Sequence, residues 1–219
     1  MQGVVNSNLQ AVTRTFSATD NGQHTTDSLC YIAAMPTLYS IGHANRSSET
    51  FLTMLQDNGI KFLADVRSYP SSKRNPHFNQ TNLQHALSKD GISYTWLPEL
   101  GGLRRTGLGN SSPHVALKSP GFRNYADYMA TEPFLGGVDK LRRLASLNPT
   151  CFMCAETVPQ RCHRSLLADY LLLMGFETIH ILDNQRTVLH KLSSLTTVVE
   201  GRLIYNRSEP QQLGLKTND

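Results

Sequence analysis

Short apolar runs alternate with helix-period runs along the middle of this chain, and that alternation allows few folds. Residues 37–43 (TLYSIGH), 61–67 (KFLADVR), 92–98 (ISYTWLP), 150–155 (TCFMCA) and 177–182 (ETIHIL) read as five strands. Between them, 47–59 places Phe51, Met54 and Leu55 at helical spacing and stops at Gly59. Residues 79–91 read as a helix ending at Gly91, and 164–175 as another. Residues 121–148 read as one or two helices broken near Pro133 and Gly136–Gly137. Strands that alternate with helices through short connections build βαβ units, hence a mainly parallel sheet. The expectation is a single α/β domain: a mostly parallel five-stranded sheet with helices on both faces, in Rossmann-like or flavodoxin-like layers. Its third connection, 99–120, is long and aperiodic, and 197–206 carries a late strand or hairpin signal.

The alternation stops at both ends. Residues 1–34 are polar and read as a disordered extension, with Met35 as an alternative start; 35–207 carry the domain, and 208–219 a flexible tail. The chain of 219 residues has a formal charge of +4 and a pI near 8.9, compatible with an anionic ligand. No apolar run reaches membrane-spanning length, and the first residues lack a signal-peptide pattern, so no membrane partner is expected. Of four cysteines, Cys151, Cys154 and Cys162 cluster. A disulfide framework spreads its cysteines, so free thiols in a cytoplasmic setting are expected.

In open parallel sheets, ligands bind beyond the carboxyl ends of the strands. The first strand ends in Gly42 and His43, the second in Asp65, Arg67 and Ser68. The third ends in Glu99, Gly101, Gly102 and Arg104. The fourth ends in CAETVPQRCHRS, which holds Cys154, Glu156, Cys162, His163 and Arg164. Asp65 lies inside a strand and needs a partner, and Arg67 is two residues on. In the CAETVPQRCHRS stretch, Thr157 and Gln160 fit a capping box at the start of the next helix. Such a helix start would face an anion and favour thiolate at Cys154.

This cluster supports three chemistries. Nucleophilic or acid–base catalysis would use Cys154 or Glu156 with His163 or Arg164 assisting. A metal is not expected, nor any other cofactor. Cys151 and Cys154 form C-x-x-C, but in a strand they point to opposite faces, and no paired spacing supports chelation by Cys154, Cys162, His163 and His43. The third possibility is structural, with buried thiols and a Glu156–Arg164 ion pair holding the turn.

Taken together, YSIGHANRSSETFLTML, ADVRSYPSSKRNPHFN, LGGLR and CAETVPQRCHRS resemble the bacterial and archaeal family known as domain of unknown function 488, over roughly residues 37–185. The resemblance implies an α/β fold and a site at Gly42, His43, Asp65, Val66, Arg67, Pro70, Gly101, Gly102, Cys154, Glu156, Cys162, His163 and Arg164. It implies no reaction.

The residues themselves suggest an enzyme acting on an anionic small molecule, a nucleotide, or nucleic acid. The loop SYPSSKRNPHFNQ interleaves Lys73 and Arg74 with Tyr69, His77 and Phe78, cations for phosphate and rings for bases. Glu156 and Asp65 are the expected working carboxylates of a hydrolase-type reaction on a glycosidic or phosphoester bond, with Cys154 and His163 as the other catalytic candidates. Arg67 and Arg164 would hold the anion, and His43, Lys73, Arg74, Arg104 and Cys162 would line the site. The alternatives are a non-catalytic nucleotide-binding or nucleic-acid-binding module and a thiol-based redox or sulfur-handling protein.

Overall fold

A computed structural model of the chain describes residues 35–207. The extension and tail expected at 1–34 and 208–219 lie outside the described residues. Within them, β1 (Thr37–Gly42), β2 (Phe62–Asp65), β3 (Ser93–Trp96), β4 (Thr150–Cys154) and β5 (Glu177–Ile181) form the five expected strands. They lie in the order β3-β2-β4-β1-β5, all parallel. A sixth strand, β6 (Thr187–Leu189), adds antiparallel to β5 at the edge. It has three residues, all exposed, so it carries no burial pattern that a sequence could display. A separate hairpin of β7 (Thr196–Val199) and β8 (Arg202–Tyr205) answers to the late hairpin signal.

Helix α1 (Ser48–Asp57) starts where the Ser47 hydroxyl accepts the Thr50 N–H at 3.1 Å. Both α1 and α2 (Gln80–Lys89) run out just before Gly59 and Gly91, whose φ of +66° and +69° suit glycine and reverse the chain. The segment 121–148 does divide, into α3 (Pro120–Tyr128) and α4 (Glu132–Leu147). The break falls at 129–131, not at Pro133 or Gly136–Gly137. Pro133 sits in the first turn of α4, where its missing N–H costs nothing. Gly137 lies inside α4 because a Cβ there would come within 2.9 Å of Leu100. Helix α5 (Arg164–Leu173) follows β4.

Strand alternation divides the core into two. Cys151 and Met153 of β4 point to the side of α1 and α2, with Leu63, Ile41, Phe51 and Phe78. Phe152 and Cys154 point the other way, towards α3, α4, α5 and the hairpin. Strands β1 and β4 are neighbours at the centre of the sheet. From β1 the chain moves to β2, on one side of that pair; from β4 it moves to β5, on the other. A crevice opens at the carboxyl ends where such connections diverge. No helix among the described residues is long and apolar enough to cross a membrane.

Candidate active site

A cleft of about 410 Å³ lies at that crevice, lined by His43, Arg67, Ser68, Tyr69, Gly102, Cys154 and His163, among others. A second hollow beside it is lined by Gly102, Ser119, Phe122, Glu156, Arg161, Cys162 and His163. The two share His163 and Gly102.

One wall is ionic and closed. Asp65 ends β2 with no exposed surface, and Arg67 is 5% exposed. Arg67 Nε donates to Asp65 Oδ1 at 2.9 Å and its NH2 to Oδ2 at 2.5 Å. The Tyr94 hydroxyl donates to the same carboxylate at 2.8 Å, and Arg67 NH2 also reaches the Phe78 carbonyl at 2.9 Å. Arg67 NH1 lies 3.3 Å from His43 Nε2, while His43 Nδ1 lies 2.8 Å from the Ala44 carbonyl. A carbonyl can only accept, so Nδ1 carries the proton and Nε2 accepts from Arg67. Burial, and then the Arg67 charge, push the His43 pKa down to about 4. The imidazole is therefore neutral, and it stacks on Phe78 with centroids 4.2 Å apart.

The other wall is sulfur and imidazole. Cys154 ends β4, and the chain then makes a tight turn at Pro159–Arg161 that returns Cys162 and His163 to it. His163 Nδ1 lies 3.5 Å from Cys162 Sγ and 3.9 Å from Cys154 Sγ. Its Nε2 donates to the Val66 carbonyl at 3.1 Å, which leaves Nδ1 facing both sulfurs. The two thiols share their protons unequally. The Cys162 thiol is lowered, first by the hydrogen bond from Cys154 and then, against burial, by His163 when Nδ1 carries a proton and by the Arg164 charge. Cys154 is held well up by its bond to Cys162 and by burial. The pair thus holds one thiolate and one thiol. Cys151, on the opposite face, is wholly buried and pushed far up by burial.

Several expected contacts are arranged otherwise. Thr157 and Gln160 form no capping box, because α5 begins only at Arg164; instead the Glu156 carboxylate accepts the Val158 N–H at 3.0 Å. Glu156 and Arg164 form no side-chain ion pair. Arg164 is wholly buried and donates to the Glu156 carbonyl at 2.5 Å and to Ser40 Oγ at 3.1 Å. Asp65 and Glu156 are not brought together: the first is sealed under Arg67, and the second is exposed beside the second hollow. Lys73 and Arg74 are exposed on the loop after β2, beyond the cleft lining. Arg104 lays its guanidinium over the Tyr128 ring, 3.5 Å from its centroid, and donates to the Glu99 carbonyl at 3.0 Å.

A buried polar chain behind this wall had no sequence signal beyond two histidines in or near a strand. Arg164 donates to Ser40, whose hydroxyl is 2.6 Å from His180 Nδ1. His180 Nε2 is 3.0 Å from His190 Nδ1, and His190 Nε2 is 2.9 Å from Asp169 Oδ1. The four bonds are mutually consistent if all run in one direction, from Arg164 to Asp169. The chain fixes Arg164, and Arg164 holds the loop that carries Cys162.

The family model described as "Domain of unknown function DUF488" matches residues 47–171, more than half of the chain. This chain belongs to the DUF488 family. The matched span runs from α1 into α5 and contains Asp65, Arg67, Gly102, Cys154, Cys162 and His163. No curated protein and no solved structure matches this DUF488 chain.

Proposed function

We propose that this protein is a thiol-dependent enzyme acting on an anionic substrate of nucleotide or nucleic-acid type. The observation that carries the reading is His163 Nδ1, within reach of both cysteine sulfurs and in the same cleft as Arg67. Cys154 is the sulfur that lines the larger cleft, and His163 Nδ1 is placed to take its proton. The sulfurs suit the reacting role better than the carboxylates. Asp65 already has Arg67 and Tyr94 as partners, and Glu156 caps a turn.

In this reading Cys154 attacks an electrophilic phosphorus or glycosidic carbon as its proton passes to His163 Nδ1. The bond to the leaving group breaks, and the leaving group takes up that proton. Water then displaces the sulfur, so the net reaction is hydrolysis. The Ser68, Ser71 and Ser72 hydroxyls line the cleft beside Arg67 and would meet the anionic oxygens, with the Arg67 charge behind them. Tyr69, 67% exposed, and Leu103, 52% exposed, offer flat and apolar surface to a base. The cleft volume suits a ligand of nucleotide size.

The test is incubation of the reduced protein with nucleotide and oligonucleotide libraries, with products read by mass spectrometry. Product formation that disappears in Cys154→Ser supports the reading; product that persists in that variant contradicts it. A dithiol redox or sulfur-handling protein is the second reading, favoured by the approach of the two sulfurs to within 4.8 Å of each other. Reversible loss of both free thiols on mild oxidation, with no hydrolytic product, would select it.

A further inference from the structure

Cys154 Sγ, Cys162 Sγ and one nitrogen of His163 all lie within 4.8 Å of one another. We propose that these three atoms bind one divalent ion of the zinc type, with the fourth coordination position open to the cleft.

Four observations point the same way. The first is spacing. A tetrahedral ion with bonds of about 2.3 Å to sulfur and about 2.1 Å to nitrogen sets sulfur and nitrogen roughly 3.6 Å apart. The His163 Nδ1 separations are 3.5 and 3.9 Å, so an ion fits with small side-chain movements. The second is orientation. A metal-binding histidine commonly donates its other ring N–H to a fixed acceptor, which turns the free lone pair to the ion. His163 donates from Nε2 to the Val66 carbonyl at 3.1 Å and turns Nδ1 to the sulfurs.

The third is space. A Cβ on Gly102 would fall 2.3 Å from His163 Nδ1. The same Cβ would lie 2.5 Å from Cγ and 2.9 Å from Cε1, over the face of the ring, so glycine lets the imidazole keep the orientation that turns Nδ1 to the sulfurs. The fourth is charge and ligand type. Two thiolates and a neutral imidazole make a soft donor set suited to zinc. The buried Arg164 guanidinium adds positive charge beside both sulfurs. The site has three protein ligands, and Cys154 and His163 both line the larger cleft, so the remaining position faces the space a substrate would enter. Three protein ligands with one open position are the pattern of ions that bind exchangeable water or substrate.

The remaining candidates are held elsewhere. Cys151 points into the opposite core, and both His43 nitrogens have partners. The consequence for the site rests on the thiol reading above: with the ion bound, the sulfurs are ligands and Cys154 no longer attacks.

The experiment is titration of the reduced full-length protein with Co²⁺, followed by absorption, then back-titration with Zn²⁺. The expected result is one ion per chain with a thiolate-to-cobalt charge-transfer band that Zn²⁺ abolishes. Cys154→Ser and Cys162→Ser should each lose most of the band, and Cys151→Ala should keep it. Gly102→Ala removes no ligand but presses on the face of the His163 ring and turns Nδ1 away, so it should weaken Co²⁺ binding at least about tenfold. Absence of the band in protein whose thiols titrate as free would overturn the proposal. So would a band that survives in both serine variants. Iodoacetamide labelling of metal-free protein separates this from the enzyme reading. Rapid labelling at the Cys154–Cys162 pair without a cobalt band sinks only the metal. A cobalt band with slow, ordinary labelling sinks only the thiol reading.

Discussion

The two walls of the cleft have the same kind of origin and opposite character. Each is built from residues at the carboxyl end of a central strand and the turn beyond it. In the β2 wall, the Asp65 carboxylate accepts from Arg67 and Tyr94, and Arg67 also reaches Phe78 and His43. In the β4 wall, two sulfurs compete for one imidazole nitrogen at 3.5 and 3.9 Å, longer contacts that leave room for rearrangement. Buried charges with complete partners hold a shape, and changing one leaves the other stranded. Buried nucleophiles with loose partners have low-cost alternatives, which is what a reaction needs. In the proposed reading the β2 wall is therefore the frame, and the β4 wall holds the reacting atoms.

The comparison predicts unlike mutants. The largest effect should be on turnover in the β4 wall. Cys154→Ser should lower kcat by about 10³-fold or more while leaving the melting temperature nearly unchanged. Glu156→Gln should retain most activity, since a glutamine carbonyl still accepts the Val158 N–H. Reversal of those two outcomes would return the chemistry to the carboxylate. Next comes stability in the β2 wall. Asp65→Asn strands the Arg67 charge, and denaturant unfolding should register a loss of about 3–5 kcal/mol. A loss below about 1 kcal/mol would mean that the pair is not the frame.

The smallest effect is with pH. His43 is pushed down to about 4 by burial and the Arg67 charge, and His180 to about 3 by burial and His190. Both sit below the unfolded value of about 6.5. Their contribution is therefore intact above about pH 6.5 and is lost as pH falls towards about 4 and about 3, where the unfolded chain binds protons that the native one refuses. The melting temperature should fall over that range, and less steeply in His43→Gln. Equal slopes for the two proteins would contradict the assignment of His43.

The strands and most helices were legible because apolar residues repeat along them, as unbroken runs in β2 and β4, which are buried on both faces, and at helical spacing for Phe51, Met54 and Leu55 in α1. Edge strand β6 was not, since three exposed residues have no such repeat. The site was legible as a set of residues but not as an arrangement. Spacing rules identify ligands that lie within one turn or strand. Cys154 and Cys162 meet through the turn at Pro159–Arg161, whose path no local spacing encodes. The same limit concealed the Ser40–His180–His190–Asp169 chain, whose members come from separate elements. Arg67 beside Asp65 was readable because both lie at the end of one strand, two residues apart.

The central claim is that Cys154 and Cys162 share one thiolate under His163, and the pH dependence of alkylation reads this most directly. Metal-free, reduced protein would be treated with iodoacetamide from pH 5 to pH 9, with each cysteine followed by peptide mass spectrometry. The account predicts that label enters at the Cys154–Cys162 pair and not at Cys151. It also predicts a rate that stays nearly level down to about pH 6, whereas an ordinary thiol loses reactivity below its pKa of about 8.5. His163→Gln should shift that dependence part of the way towards the ordinary one. A wild-type rate that follows an ordinary thiol, or labelling of Cys151 as fast as Cys154 and Cys162, would contradict the account.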